Sequence, residues 1–271
     1  MTPAKMFRAV LLLCLVPACG AVEEEDYVGA PYDPNVRPAS EPAGYYATAT
    51  GKTGAALLQA LRTRIAGHKA LSYSGARDAM FGSVADPDND NVVPCVYTGR
   101  RGTPITNSAT AGSVNMNTEH SWPQSLGATG VAQSDLHHLF PSDSTANSRR
   151  GNYPYGLVVN ATWTAPNLDG GDTSRLGTDA SGRTVFEPQS TVKGDIARAL
   201  LYFYTRYAGQ PTSGFTLNNF NAEQATLIRW HQQDPPDANE RAHNDAVYGI
   251  QGNRNPYIDH PEYVTAIGSF K

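Results

Sequence analysis

Apolar positions recur at helical spacing in several stretches. Leu57, Leu58, Leu61 and Ile65 share one face, with Thr53 ahead as an N-cap and Gly67 behind as a stop; the spacing predicts a helix over 53–67. Val192, Ile196, Ala199, Leu200, Phe203 and Tyr207 mark the apolar face of a buried central helix, capped by Ser190 or Thr191 and running to Tyr207. Asn221 with Gln224, and Asp237 with Glu240, stand at N-cap and N3 spacing and start helices reaching about Gln233 and Gln251. Between these, Val92 to Thr98 reads as an edge strand or bulge interrupted by Pro94. Leu157 to Thr164 and Arg183 to Phe186 read as strands. Residues 102–118 are small and polar, and the tail from Gln251 to Tyr257 reads as polar and irregular. The pattern is α+β: mixed helices and short strands.

The N-terminus follows a different pattern. Lys5 and Arg8 precede the apolar run Ala9 to Val16, which is well short of the roughly 20 residues that span a bilayer and suits the core of an export signal. Ala18 then precedes Cys19-Gly20, as at the acylation site of a bacterial lipoprotein, with Pro17 an imperfect fit. Residues 1–19 are therefore a signal segment. The mature chain is expected to be exported, either as an outer-membrane or cell-surface lipoprotein held through Cys19 or as a secreted or periplasmic protein. Residues 20–44, rich in Pro, Ala, Gly and acid, read as a solvated tether, with a folded domain over 45–271.

Cleavage before Cys19 removes Cys14, and acylation of Cys19 leaves Cys95 alone. A disulfide framework is excluded, and Cys95 reads as a small buried hydrophobe; a Cys19–Cys95 bridge requires that acylation fail. The formal net charge is −4, and losing Lys5 and Arg8 makes the mature chain more acidic. That is unlike a strongly basic nucleic-acid binder, but net charge is not local charge: Arg100-Arg101 and Arg149-Arg150 flank the most chemically dense stretch. The acidic run Asp86 to Asn91 lacks the sixth-position glycine and closing glutamate of an EF-hand and reads as a solvated turn; Asp169 to Asp172 reads as a loop.

The dense stretch is 115–152. It holds Glu119-His120 before Ser121-Trp122-Pro123, then Asp135-Leu136-His137-His138, then Asn147, Arg149, Arg150, Gly151 and Asn152. Hydrolysis of a phosphodiester needs a base for water, a cation against the charge that builds on phosphate, and help for the leaving oxygen. A neutral imidazole suits the first task. A hard cation such as Mg²⁺ takes oxygen ligands and keeps several waters, so one carboxylate and one amide suffice when substrate completes the shell. His120, Glu119 and Asn147 supply these groups. Asp143 or Ser142 caps a short helix that carries Asn147 and Arg150 back toward the strand-borne pair. One of Arg149 and Arg150 reads as a phosphate clamp, and Arg100, Arg101 and Asn152 as substrate contacts. His137-His138 invites a zinc reading, but without HExxH or a cysteine pair a structural hydrogen-bonding role fits better.

At these residues the chain resembles a known family. Asn117-x-Glu119-His120-x-Trp122-Pro123, Asp135-Leu136-His137-His138-Leu139 and Asn147-x-x-Arg150-Gly151-Asn152 are similar to the bacterial endonuclease I family, exported nonspecific nucleases with a ββα-metal (His-Me finger) core. Phe186-Glu187-Pro188 with Val192 to Arg198 resembles its central helix, and Asn253-Arg254-Asn255-Pro256 with Asp259-His260-Pro261-Glu262 its C-terminal segment. The resemblance implies an α+β domain around that core, with His120 as general base and Mg²⁺ (or Mn²⁺) on Glu119 and Asn147. It implies an endonuclease acting on DNA, with RNA as the alternative or additional substrate, leaving 5′-phosphate and 3′-hydroxyl ends; separately, the chain is expected to be a monomer. Two departures stand out. Some members place a transition-state arginine between the Glu-His pair and the helix, whereas no arginine lies between His120 and Arg149; some carry several disulfides. Alternative readings are a surface-anchored binding lipoprotein with a degenerate site, and a hydrolase of another phosphodiester.

Overall fold

The computed structural model describes residues 41–86, 89–166, 168, 170–208 and 217–270. The signal, Cys19 and most of the tether lie outside the described residues, as does Asp169. In chain order the elements are α1 (Gly54–Ile65), α2 (Tyr73–Ala79), β1 (Val93–Pro94), β2 (Arg101–Gly102), α3 (Ser108–Ser113), β3 (Met116–His120), β4 (Leu139–Asp143) and α4 (Ser144–Arg150). There follow β5 (Asn160–Thr164), β6 (Arg175–Thr178), β7 (Thr184–Glu187), α5 (Lys193–Tyr207), α6 (Asn218–Gln233), α7 (Ala238–Gln251), α8 (Pro256–Asp259) and α9 (Glu262–Ile267). The strands form three small antiparallel sheets, β1-β2, β3-β4 and β5-β6-β7. This is an α+β fold, and β3, β4 and α4 form a ββα unit within it.

The core is organised on α5. The sequence gives this helix one apolar face, yet Ala197, Leu201 and Tyr202 are buried as well as Ile196, Leu200 and Phe203. Helices α1, α6 and α8 surround it, together with the 3-10 turn Leu136–His138 that precedes β4, so little of its circumference meets water. Its start lies later than the expected Ser190 or Thr191 cap. The Ser190 amide and hydroxyl both donate to Asp172, 190–192 close as a 3-10 turn, and the helix begins at Lys193. Gly194 admits the end of α6: a Cβ there would sit 2.0 Å from the Asp234 carbonyl oxygen.

Helix α6 also departs from expectation. Asn221 lies inside it rather than capping it, because the helix begins at Asn218 and carries Phe220 into the core. Phe220 stacks on Tyr204 at 4.4 Å between ring centroids. The Asp237 cap of α7 forms as expected, accepting from the Glu240 amide at 2.8 Å. Of the expected strand 92–98 only Val93 and Pro94 enter a ladder. Helices α2 and α3 had no apolar period to announce them; both rest on caps, Ser72 accepting from Gly75 and Asn107 in a capping box with Thr110.

The tail is irregular over 252–255, between α7 and α8, as its polar sequence predicts, but beyond Gly252 it is buried. Asn253, Arg254 and Asn255 are each 1% exposed. Asn253 donates to the Tyr202 hydroxyl and the Ile65 carbonyl, and Asn255 donates to the Arg198 carbonyl. A polar segment can be core when each polar atom has a partner, and periodicity of apolar residues does not reveal this.

Three histidines are buried as neutral rings. His137, His138 and His231 donate from Nε2 to the carbonyls of Asn253, Ala132 and Pro261, while each Nδ1 is buried with no hydrogen-bond partner. Burial is the main cause that lowers all three pKa values to about 4. The unfolded chain takes up these protons near the ordinary value of about 6.5, before the folded chain does. Stability is therefore full above pH 6.5 and falls as pH drops toward 4, by about 1.4 kcal/mol per pH unit for each ring. Urea unfolding at pH 7, 6 and 5 should show the midpoint falling progressively; a midpoint independent of pH over that range would refute the neutral burial of these rings.

Candidate active site

The ββα unit is built without slack. Strand β3 pairs with β4 in the register Thr118 with Pro141, Glu119 with Phe140 and His120 with Leu139. Asp143 ends β4 and caps α4 at once, accepting from the amides of Thr145 and Ala146. Of the two expected caps it is Asp143 that serves. Asn115, held at φ 58°, accepts the Ser144 amide and so ties the start of α4 to the start of β3. The long β3–β4 connection is anchored by Asp135, which accepts from the hydroxyls of Tyr202 and Tyr207 and from the Gln251 amide, each at 2.8 Å.

One turn into α4, Asn147 faces back over β3. Its Nδ2 donates to Asn117 Oδ1 at 2.7 Å and to the Thr118 carbonyl at 3.0 Å. These acceptors fix the amide's orientation and leave Oδ1 as the uncommitted oxygen. Glu119 is 1% exposed, with Oε1 3.3 Å from Arg150 Nε and 3.4 Å from the Tyr155 hydroxyl. Tyr155 in turn meets Tyr97 at 2.7 Å. Burial pushes the Glu119 carboxyl up, against the Arg150 charge that pulls it down.

His120 ends β3 and points to the other side of the strand from Glu119, as alternation requires. Its Nε2 lies 3.0 Å from the Gln133 carbonyl oxygen, which can only accept, so Nε2 carries the proton. Nδ1 then holds the lone pair, with the Gln124 side-chain amide 3.3 Å away. Burial, and after it the His138 ring, lower its pKa to about 3, so the ring is neutral at pH 7. An anionic phosphodiester beside it would raise its basicity.

Glu119, His120 and Asn147 all line one open cleft of about 490 Å³, with Thr118, Pro123, Gln124, Ser125, Arg150, Gly151 and Asn152. The other candidate residues divide. Asn152 lines the cleft and donates to Ser125 Oγ. Arg150 reaches the cleft wall but is 2% exposed, its Nη atoms donating to the carbonyls of Ser121 and Gly151 and its guanidinium 4.6 Å from the Tyr155 ring. Arg149 is exposed and is not a lining residue. Arg100 donates to the carbonyls of Val114 and Asn115 and pairs with Asp143, bracing the ββα unit; Arg101 is exposed on β2, away from the lining. Sequence reasoning missed Gln124, and it missed Tyr97 and Tyr155 behind Glu119. Gln124 directly follows the Trp122-Pro123 motif and was within reach; the tyrosines carry no signal, since nothing in the sequence brings 97 and 155 together.

The oxygen pair fits a hard divalent cation. A carboxylate and an amide oxygen face the same cleft, with room beside them for water and phosphate. Among the described residues no three His, Cys, Asp or Glu side chains gather as a metal cluster, and His137 and His138 serve as the hydrogen-bonding braces already described. Cys95 is buried, with its sulfur accepting from the amides of Tyr97 and Asp143.

Residues 53–262 match the model of the Endonuclease I family. The chain is 35% identical over 246 residues to an extracellular ribonuclease of Bacillus amyloliquefaciens, covering 86% of this chain and 80% of that protein. It is 36% identical over 237 residues to an extracellular ribonuclease of Bacillus subtilis (strain 168), covering 82% and 77%. A periplasmic deoxyribonuclease of Aeromonas hydrophila is 32% identical over 128 residues, 47% of this chain and 48% of that protein. A family match across most of the length, joined to a ββα unit that sets Glu119, His120 and Asn147 on one cleft, places the chain in the endonuclease I family of nucleases.

Proposed function

We propose that the protein is an exported, divalent-metal-dependent endonuclease that hydrolyses DNA and RNA without base specificity. The observation that carries this reading is the convergence of the His120 Nδ1 lone pair, the Glu119 carboxylate and the Asn147 amide oxygen on one open cleft. The relatives support both substrates, since ribonucleases and deoxyribonucleases stand among them, extracellular or periplasmic by name.

His120 Nδ1 takes a proton from water as its oxygen bonds to phosphorus. The bond from phosphorus to the 3′ oxygen breaks, leaving a 5′-phosphate and, after that oxygen gains a proton from solvent, a 3′-hydroxyl. Glu119 and Asn147 would hold Mg²⁺ or Mn²⁺, which supplies positive charge to the phosphate and its leaving oxygen. Gln133 holds the His120 tautomer through its carbonyl. Arg150 acts as a positioning residue: it stands against the Glu119 carboxylate and bonds the carbonyl of Ser121. Backbone phosphate carries no base identity, so contacts of this kind do not select sequence.

Supercoiled plasmid, single-stranded DNA and RNA should all be cut in Mg²⁺ and protected by EDTA. Binding without cleavage in any divalent ion would refute the reading, and activity in Zn²⁺ where Mg²⁺ fails would point to a different hydrolase.

A further inference from the structure

The arginines expected to meet the phosphate leave that role unfilled. Arg150 is buried with its guanidinium committed, and neither Arg149 nor Arg101 lines the cleft. A different cation stands beside His120, on an element the sequence did not announce. Arg77 lies in the last turn of α2 and is half-buried. Its Nε is 3.4 Å from Thr118 Oγ1. Arg77 is not itself a lining residue; it stands directly behind Thr118, which lines the cleft and shares a face of β3 with His120, two residues on. The Arg77 guanidinium carbon is 5.7 Å from the centroid of the Tyr73 ring, which is itself 5.7 Å from the His120 ring. Tyr73 and Arg77, one turn apart, thus set a ring and a cation against the working face of β3.

This guanidinium is held but not consumed. Among the described residues its Nη atoms make no hydrogen bond or ion pair, and the adjacent carboxylate, Asp78, is occupied by the amide and hydroxyl of Ser108. The backbone beneath it is fixed, since Ser72 caps α2 and Met80 and Phe81 bury immediately after it. A planar cation whose paired Nη edge is free suits the paired oxygens of a phosphate. Pre-set positive charge does most for the rate where negative charge grows during reaction.

We propose that Arg77 is the cation that bonds the non-bridging oxygens of the scissile phosphate as it becomes pentacoordinate. This rests on the nuclease reading of the cleft. It also accounts for the lack of an arginine between His120 and the helix: the charge enters from α2, on the Thr118 and His120 side of β3, some forty residues earlier in the chain.

The test compares the full mature protein with Arg77→Met, Arg77→Lys and His120→Ala on a short labelled oligonucleotide in Mg²⁺. Arg77→Met should lower kcat about 100-fold. KM and the Mg²⁺ concentration for half-maximal rate should shift far less. Arg77→Lys should fall between, because an ammonium supplies charge without the fork. Guanidinium ion, well below denaturing concentrations, should restore part of the rate of a further variant, Arg77→Ala, whose truncated side chain leaves room for it, and none of the His120→Ala rate, a response that a packing defect would not give. Arg77→Lys and the guanidinium response keep the test decisive if the methionine variant folds poorly. Arg77→Met cutting within threefold of the parent, while His120→Ala is inactive, would overturn the assignment and leave the nuclease reading intact; so would a loss confined to KM. A parent protein that cuts nothing would overturn both.

Discussion

His120→Ala should lower phosphodiester cleavage by about 10²–10⁴-fold, the usual worth of a positioned general base. The loss should fall on kcat. The ring is neutral at pH 7, so removing it takes no charge from the cleft, and binding of an uncut oligonucleotide should change little. Dependence on Mg²⁺ should also persist, since Glu119 and Asn147 keep their own partners on Arg150, Asn117 and the Thr118 carbonyl. The variant leaves a gap between Gln124 and Gln133 that exogenous imidazole can enter, and partial recovery of rate with added imidazole would mark the missing base directly. A variant that cuts at a tenth of the parent rate or better would remove His120 from proton transfer.

Arg254→Met should destabilise the fold by about 3–5 kcal/mol, the cost of stripping one partner from a buried ion pair. Arg254 is 1% exposed and grips Asp259 through two nitrogens, at 2.7 and 2.8 Å, with Asp245 at 2.7 Å from a third. Asp259 also accepts from the Tyr46 hydroxyl and the Asn244 amide, but these are neutral donors. Methionine fills much of the volume and leaves the carboxylate buried beside them without a counter-charge. Urea unfolding measures the loss. Asp259→Asn in the same chain should recover part of it, because the double variant buries no orphan charge. A single variant within about 1 kcal/mol of the parent would show that the pair carries little net weight, as some buried pairs do.

Much of the candidate site was legible because the residues that share its cleft are close in the chain. Glu119-His120 and Asn147 lie within one strand-loop-helix unit, and Pro123 and Asp143 announce its turn and its cap. The central helix was legible from apolar spacing, though not its burial on all sides, which depends on neighbours from distant parts of the chain. What was not legible shares a cause. The start of α6 follows Phe220 into the core rather than the Asn221 cap signal, and the tail is core by virtue of paired polar atoms, not apolar period. Arg150, read as a phosphate clamp, reaches the cleft wall but has its guanidinium engaged by Glu119 and by carbonyls only the folded backbone assembles. Arg77 went unnoticed because α2 has one buried residue and no stripe.

Gln251, through its bond to Asp135, steadies the connection between β3 and β4 from 116 residues further along the chain. The Phe270 amide likewise closes on Gln224 of α6. The same Gln251 side chain also accepts the Leu136 amide, so removal of residues 251–271 should loosen the β3–β4 connection that carries Gln133, the partner of His120 Nε2, and should lower cleavage even though Glu119, His120 and Asn147 are all retained.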